Sequence, residues 1–418
     1  CNPDGTQQVI YDERSPKYVD HLNKTFYFLE DGRRFIVREE TSTGYMHLYL
    51  YGIGQGVLHP ITQGEWEVTD FVGLRGDKVY YISTESSPLK RDLYRVGLDG
   101  KHKERLTPGD GYYSIYPSAD LSYYICEGGD SSAPGRTDVF NAAGKRVRTL
   151  YDNAPLKEAL AEAGLPVREF FTFTTERGDE LNGYMLKPLD FDPAKRYPVL
   201  LTQYSGPGSQ QVAEGWGPDW EDALVTHGYI VVCVDPRGTG YRGEEFKKLT
   251  YGNLGRLEVE DQISTARYMA RQSYVDPARI GIYGWSYGGF MALGCAFRGE
   301  GLFKMAIAVA PVTSWRYYDS IYTENFNGLP DDYPKGYDDN SPVNLAHLFR
   351  DDSTRLLIVH GTADDNVHFQ NTMEMARALN KLGKQYDMMV YPDQNHSMMP
   401  DDMIHVREKM LRYTLENL

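Results

Sequence analysis

The stretch Arg279–Phe290, RIGIYGWSYGGF, constrains this chain more than any other. An apolar run from Ile280 to Tyr283 has the length of a buried strand. It ends in Gly284-Trp285-Ser286-Tyr287-Gly288, and a helix-like segment rich in Met, Ala and Leu follows from Phe290 to Phe297. Glycine, any residue, serine, any residue, glycine at a strand–turn–helix junction is the pattern of a nucleophile elbow. A serine in so sharp a turn brings backbone close on both sides, and a β-carbon at 284 or 288 would clash. The hydroxyl then stands at a helix N-terminus, where free N–H groups and the helix dipole favour the negative charge of a tetrahedral intermediate.

At 418 residues the chain has room for two domains with sizeable cores. Its 59 acidic and 44 basic residues give a net charge of -15, which argues against nucleic acid or an anionic membrane as a main partner. The 33 tyrosines suit twisted β-structure and polar-rimmed pockets. Four cysteines, at 1, 126, 233 and 295, are widely separated and match no metal spacing, so no metal is expected. Cys233 and Cys295 lie in apolar runs and read as small buried residues. No apolar run approaches the length of a membrane span. The start, without Met or a leader-like segment, reads as that of a mature or truncated chain, and Cys1 is expected to be a cut end rather than a lipidated position.

Residues 1 to about 150 carry short β-like runs with an internal repeat. A hairpin is expected over Thr25–Leu29 and Phe35–Arg38, around Asp31-Gly32. Leu48-Tyr-Leu-Tyr-Gly52 closes at Ile61-Thr62; Leu93-Tyr-Arg-Val-Gly97 closes at Leu106-Thr107; Val139-Phe140 closes at Thr149-Leu150. Leu48, Leu93 and Val139 repeat at about 45 residues, the period of β-propeller blades. Three such units fall short of the roughly four to eight that close a ring, so the sequence is expected to begin partway through a longer propeller.

From about Pro155 the pattern alternates. A helical patch over Leu156–Gly164 and a hairpin over Phe170–Thr175 and Leu181–Lys187 come first. Strands are then expected at Pro198–Gln203, Tyr229–Val234, Ile280–Tyr283, Met305–Ala310, Leu356–His360 and Met388–Tyr391. Helices are expected at Asp219–His227, Leu257–Arg271, Phe290–Phe297, Asn371–Leu382 and Ile404–Leu415. Continuously apolar strands between amphipathic helices indicate a largely parallel sheet covered on both faces, with ligands at the strands' carboxyl ends. The expected fold is α/β: a hydrolase-type domain over 155–418, preceded by a partial all-β propeller of about three blades over 1–154.

A serine hydroxyl needs a base, and the base needs an orienting acid. In α/β-hydrolases the chain order is Ser, then Asp or Glu, then His. Past the strand Leu356–His360 come Asp364 and Asp365; Asp364, nearer the strand, is preferred. Only His368, His396 and His405 follow it. His405 sits in a helix and His368 crowds Asp364, which leaves His396, in the loop after the last strand. The backbone N–H of Tyr287 supplies one oxyanion donor. The second is expected from Tyr204-Ser-Gly-Pro-Gly208, where the Tyr204 phenol offers an O–H.

With these residues assembled, the chain resembles the dipeptidyl peptidase IV branch of the prolyl oligopeptidase family of serine peptidases. The matching stretches are Gln203-Tyr-Ser-Gly-Pro-Gly-Ser-Gln, Val234-Asp-Pro-Arg-Gly-Thr-Gly, the elbow, Ala310-Pro-Val-Thr-Ser-Trp-Arg-Tyr-Tyr-Asp-Ser-Ile-Tyr-Thr-Glu324 and His360-Gly-Thr-Ala-Asp-Asp-Asn-Val-His-Phe-Gln. The resemblance implies a triad of Ser286, Asp364 and His396, with Tyr204 as oxyanion tyrosine. It implies a pocket for the residue before the cleaved bond, formed by Tyr287, Val312, Trp315, Tyr318, Tyr322 and Val367, and Asn366 as a ligand of a substrate carbonyl. A flat aromatic box suits the rigid proline ring, which has no N–H to satisfy. The implied activity is release of N-terminal dipeptides with proline, less readily alanine, in second place, through an acyl-enzyme and without a cofactor. A homodimer and a periplasmic or secreted setting are further implications. The family's glutamate pair for the substrate N-terminus, and an upstream arginine, would precede residue 1. The competing readings are an acylaminoacyl-type peptidase or esterase, and a catalytically silent interaction protein that binds through the propeller.

Overall fold

A computed structural model describes residues 4–20, 24–164 and 166–418; Cys1 lies outside them. The chain divides into two compact units. One comprises Cys1–Ala163 with the short segments Ala213–Gly217 and Tyr241–Phe246; the other comprises Gly164–Val212, Pro218–Gly240 and Lys247–Leu418.

The first unit is built from three four-stranded antiparallel sheets. They contain β1–β4 (Thr25–Phe28, Arg34–Glu39, His47–Gly52, Gly56–Pro60), β5–β8 (Val68–Arg75, Lys78–Ser83, Asp92–Gly97, Glu104–Arg105) and β9–β12 (Tyr112–Pro117, Tyr123–Gly129, Arg136–Asn141, Arg146–Tyr151). These are the three blades expected from the period, and Leu48, Leu93 and Val139 all fall in the third strand of their sheets. The closing residues behave alike: Ile61 N–H donates to the Leu48 carbonyl and Leu106 N–H to that of Leu93, both at 2.8 Å. Alternation along β6 explains how the sheets stack. Val79 and Tyr81 enter one core with Ile36, Leu48 and Leu50, while Tyr80 and Ile82 enter another with Tyr113, Tyr124 and Phe140. A strand with apolar side chains on both faces is stable only between two other sheets.

Helix α1 (Ala154–Ala163) buries no residue, so it is part of neither core. The expected domain boundary at 154/155 and the division of the compact units at 163/164 lie at opposite ends of this connecting helix.

The second unit holds an eight-stranded sheet ordered β13-β14-β16-β15-β17-β18-β19-β20. The strands are Glu169–Thr174, Glu180–Leu186, Tyr197–Thr202, Ile230–Asp235, Val275–Trp285, Met305–Val309, Arg355–Gly361 and Asp387–Tyr391, numbered β13 to β20 in chain order. β13 and β14 run antiparallel at one edge, and the other six are mutually parallel. β15, β16 and β18 are buried along their whole length, which is why they read as unbroken apolar runs. The helices of the chain after α1 are α2 (Asp222–Thr226), α3 (Glu244–Lys247), α4 (Leu257–Ala270), α5 (Tyr287–Arg298), α6 (Ser320–Asn327), α7 (Pro334–Asp338), α8 (Pro342–Leu345), α9 (Gln370–Lys381) and α10 (Pro400–Asn417). α5 is buried at every position but the last and packs on β17 and β18.

Each expected strand and helix of this unit is found, with shifted ends. β17 is longer than Ile280–Tyr283, starting at Val275 and reaching Trp285. α5 starts at Tyr287, immediately after the serine, and α10 starts at Pro400. A proline in the first helical turn forfeits no hydrogen bond, because that N–H has no partner within the helix. Among the described residues, no helix is long and apolar enough to cross a membrane.

Candidate active site

Ser286 sits between the end of β17 and the start of α5 with φ 61° and ψ −116°, a conformation disfavoured for a residue with a side chain. Two backbone bonds hold it there. Its N–H donates to the Val309 carbonyl at 2.8 Å, and its own carbonyl accepts from Phe290 N–H at 3.0 Å. The flanking glycines are required by contact. A β-carbon at 284 would lie 2.2 Å from the Gly288 carbonyl oxygen, and one at 288 would lie 2.5 Å from that of Gln203.

Asp364 follows β19 and His396 follows β20, so the parallel topology brings both to the carboxyl rim that carries Ser286. His396 Nδ1 lies 2.7 Å from Asp364 Oδ2. Asp364 also accepts the backbone N–H groups of Asn366 (3.0 Å) and Val367 (2.9 Å), and contacts His360 Nε2 at 3.1 Å. Burial raises its pKa, but the hydrogen bonds of His360 and His396 and the charge of His396 outweigh it. The carboxyl is held well below the usual range and stays ionised. His396 and Ser286 line the same cavity, of about 450 Å³, together with Tyr204. Asp365 is exposed and lines an adjoining open depression, which shares Tyr318 and Asn366 with that cavity.

Tyr204 stands beside the serine. Burial raises its phenol pKa, partly offset by a hydrogen bond with Ser286, so the ring keeps its proton at neutral pH. The loop that carries it is pinned by buried amides. Gln203 Nε2 donates to the Gly288 carbonyl at 2.9 Å. Ser205 Oγ donates to Gln203 Oε1 at 2.8 Å and accepts from Gln262 Nε2 at 3.2 Å.

The residues expected to form an aromatic box come together. Trp315 stacks on Tyr322 with centroids 6.0 Å apart, stands edge-on to Tyr318 at 5.9 Å, and meets Tyr287 at 5.4 Å. Val312 and Val367 are fully or nearly fully buried. Tyr318 donates its O–H to Asn366 Oδ1 at 2.6 Å, which turns the Asn366 amide nitrogen into the free donor end of that side chain.

Four positions escaped the reading of the sequence. Trp285 Nε1 donates to the His396 carbonyl at 3.0 Å. Glu258 accepts the Tyr287 O–H at 2.6 Å while fully buried on α4. His360 Nε2 faces two acceptors, Asp364 Oδ2 and the Val367 carbonyl at 2.8 Å, so this nitrogen carries the proton. Gln262 anchors the Tyr204 loop. A signal existed for two of them: Glu258, Asp261, Gln262 and Thr265 share one face of α4, and all are buried. A polar stripe where a helix should bury apolar residues marks a built network.

A serine in a strained strand-to-helix turn, with a carboxylate and an imidazole from later strand ends on the same rim, defines an α/β-hydrolase; here three propeller blades precede it. Residues 216–418 match the prolyl oligopeptidase family, and residues 2–134 match the dipeptidyl peptidase IV (DPP IV) N-terminal region. The crystal structure of Porphyromonas gingivalis dipeptidyl peptidase 4 superposes with a TM-score of 0.92 at 41% identity, covering 97% of this chain and 57% of that one. Dipeptidyl-aminopeptidase B of Aspergillus niger is 41% identical over 366 residues, covering 85% of this chain and 40% of that protein. The chain belongs to the prolyl oligopeptidase family, in its dipeptidyl peptidase IV branch. It spans about two-fifths of the length of the curated relatives it matches.

Proposed function

We propose that the full-length protein is a serine exopeptidase that releases N-terminal dipeptides whose second residue is proline or, less readily, alanine. The observation that carries this is the Ser286–His396–Asp364 rim beside a cluster of aromatic rings around Trp315. In this reading Ser286 Oγ attacks the carbonyl carbon of the second residue and His396 takes the hydroxyl proton. Asp364 holds the imidazole by its Nδ1–H and stabilises its positive charge. The oxyanion receives the phenol O–H of Tyr204 and the backbone N–H of Tyr287. His396 then gives the proton to the departing amine, the acyl-enzyme forms, and water repeats the sequence to free the dipeptide. The proline ring packs against Tyr287, Trp315 and Tyr322, while the Asn366 amide donates to a substrate carbonyl. The names of the relatives support dipeptidyl release, and the chemistry of the box supports proline.

Ser286→Ala in the full-length protein tests the assignment. Hydrolysis of a Gly-Pro arylamide is expected to fall to background with the unfolding midpoint unchanged, and undiminished turnover would refute it. Preference for an N-acetylated substrate over one with a free amine would instead mark an acylaminoacyl-type peptidase.

A further inference from the structure

Two imidazoles share one oxygen of Asp364. His396 Nδ1 approaches Oδ2 at 2.7 Å and His360 Nε2 approaches it at 3.1 Å, while Oδ1 takes the backbone N–H groups of Asn366 and Val367. His396 is partly exposed in the cavity with Ser286, but His360 lies within β19 and is wholly buried. The His360 ring is held from every side. Thr372, buried near the start of α9, places its Oγ1 2.7 Å from Nδ1, and the Phe369 ring stands edge-on at 5.6 Å. Nε2 faces two acceptors and carries the proton, so Nδ1 is left to accept the Thr372 O–H. The start of α9 is itself fixed: Asn371 Oδ1 accepts the Thr313 N–H at 2.9 Å, and the Asn371 carbonyl accepts the Thr313 O–H at 2.8 Å. The chain Thr372, His360, Asp364, His396 therefore has a rigid outer end.

Resting on the peptidase reading above, we propose that His360 is a positioning residue: through the Asp364 oxygen it shares with His396, it fixes the carboxylate and moderates the pull of that carboxylate on the His396 proton. A hydrogen bond into Oδ2 draws off negative charge that would otherwise bear on the imidazole. The imidazolium formed when His396 takes the serine proton is then held less tightly, and it passes that proton on to the departing amine. Other ionisable groups near the pair do not share this oxygen. Tyr204, Tyr283 and Tyr318 line the cavity with phenols that burial keeps protonated at neutral pH, and Asp219 there is paired with Arg407 at 3.0 Å. Asp365, His368 and Asp393, on the neighbouring loops, are exposed, where water screens their charge.

The test is the pH profile of Gly-Pro arylamide hydrolysis by the full-length protein and its variants. His360→Leu is expected to lower kcat roughly ten- to hundredfold with KM nearly unchanged. The acid limb of its kcat/KM profile is expected to move to higher pH by about 0.5 to 1 unit, because the whole charge of Oδ2 then bears on His396. His360→Gln, whose amide nitrogen reaches the place of Nε2, is expected to restore most of kcat and return the limb. His360→Asn, whose shorter amide falls short of Oδ2, is not. An unmoved acid limb in His360→Leu, or equal losses in the Leu, Gln and Asn variants, would overturn the proposal and leave His360 a packing residue. Thr372→Val, nearly isosteric and one step further out, carries the test if the His360 variants do not fold. A smaller shift in the same direction is expected from it, and no shift would likewise overturn the proposal. Absence of arylamide cleavage by the unmodified protein at every pH would instead bring down the peptidase reading on which this role rests.

Discussion

The indole N–H of Trp285 donates to the backbone carbonyl of His396 at 3.0 Å, across 111 positions of sequence. The residue next to Ser286 thus holds the loop that carries the His396 imidazole. Chain order supplies a serine and a histidine, and this bond helps to fix the distance between them. A loop histidine held by a rigid neighbour loses little freedom on reaching the reactive geometry.

Replacing Trp285 with Phe keeps most of the packing and removes the donor. Turnover of a Gly-Pro arylamide is expected to drop roughly ten- to hundredfold, and the rate of fluorophosphonate labelling of Ser286 with it. Labelling at the original rate would show that the His396 loop needs no such tether.

On the proposed mechanism, Tyr204→Phe removes one oxyanion donor and leaves the ring. A fall of roughly 10²–10³ in kcat is expected, with KM nearly unchanged. A loss confined to KM would mean that the phenol binds substrate and plays no part in the transition state.

Asp364→Asn leaves the shape and removes the charge. With the wrong imidazole tautomer favoured, kcat is expected to fall about 10⁴-fold. The same carboxyl also contributes to stability. Its folded pKa is depressed, so its contribution is present above the ordinary carboxylate value and is lost as pH falls through the folded value. Urea unfolding of the two proteins should therefore differ by a constant amount near neutrality, and converge only below about pH 4.

Glu258 has the opposite sign. Burial pushes its carboxyl up to about 7 from 4.5, against the opposing hydrogen bond from Tyr287. A raised folded pKa means that its stabilisation is complete below pH 4.5 and declines as pH rises through 7. A shift of this size corresponds to roughly 3 kcal/mol. Glu258→Gln cannot ionise, so the wild type is expected to lose stability relative to the variant across that window. Parallel stability curves would show that Glu258 is already ionised at the lower pH. Glu221, also pushed up to about 7, serves as the control, since it is bonded to Thr202 and makes no contact with Tyr287 in the described residues.

Local patterns carried most of the architecture. The elbow was legible because its glycines and its flanking strand and helix lie within a dozen residues. The blades were legible because their third strands repeat at a fixed interval, and the sheet because its buried strands are continuous apolar runs. Asp364 and His396 could be chosen because the order of strands in a parallel sheet places their loops on one rim. The ends of elements were less legible: Tyr287 begins α5 directly after the serine, and Pro400 begins α10 a turn earlier than the apolar pattern suggests.

The sequence by itself therefore determined the fold class and the candidate site residues, through short-range periodicity and chain order. Tertiary structure alone decided what holds them: Trp285 on His396, Glu258 on Tyr287, and Gln262 through Ser205 and Gln203 on the elbow. The physical reason is that a hydrogen bond between groups far apart in sequence leaves no trace in the spacing of neighbouring side chains. Such a bond exists only once the sheet has set the distance between its partners.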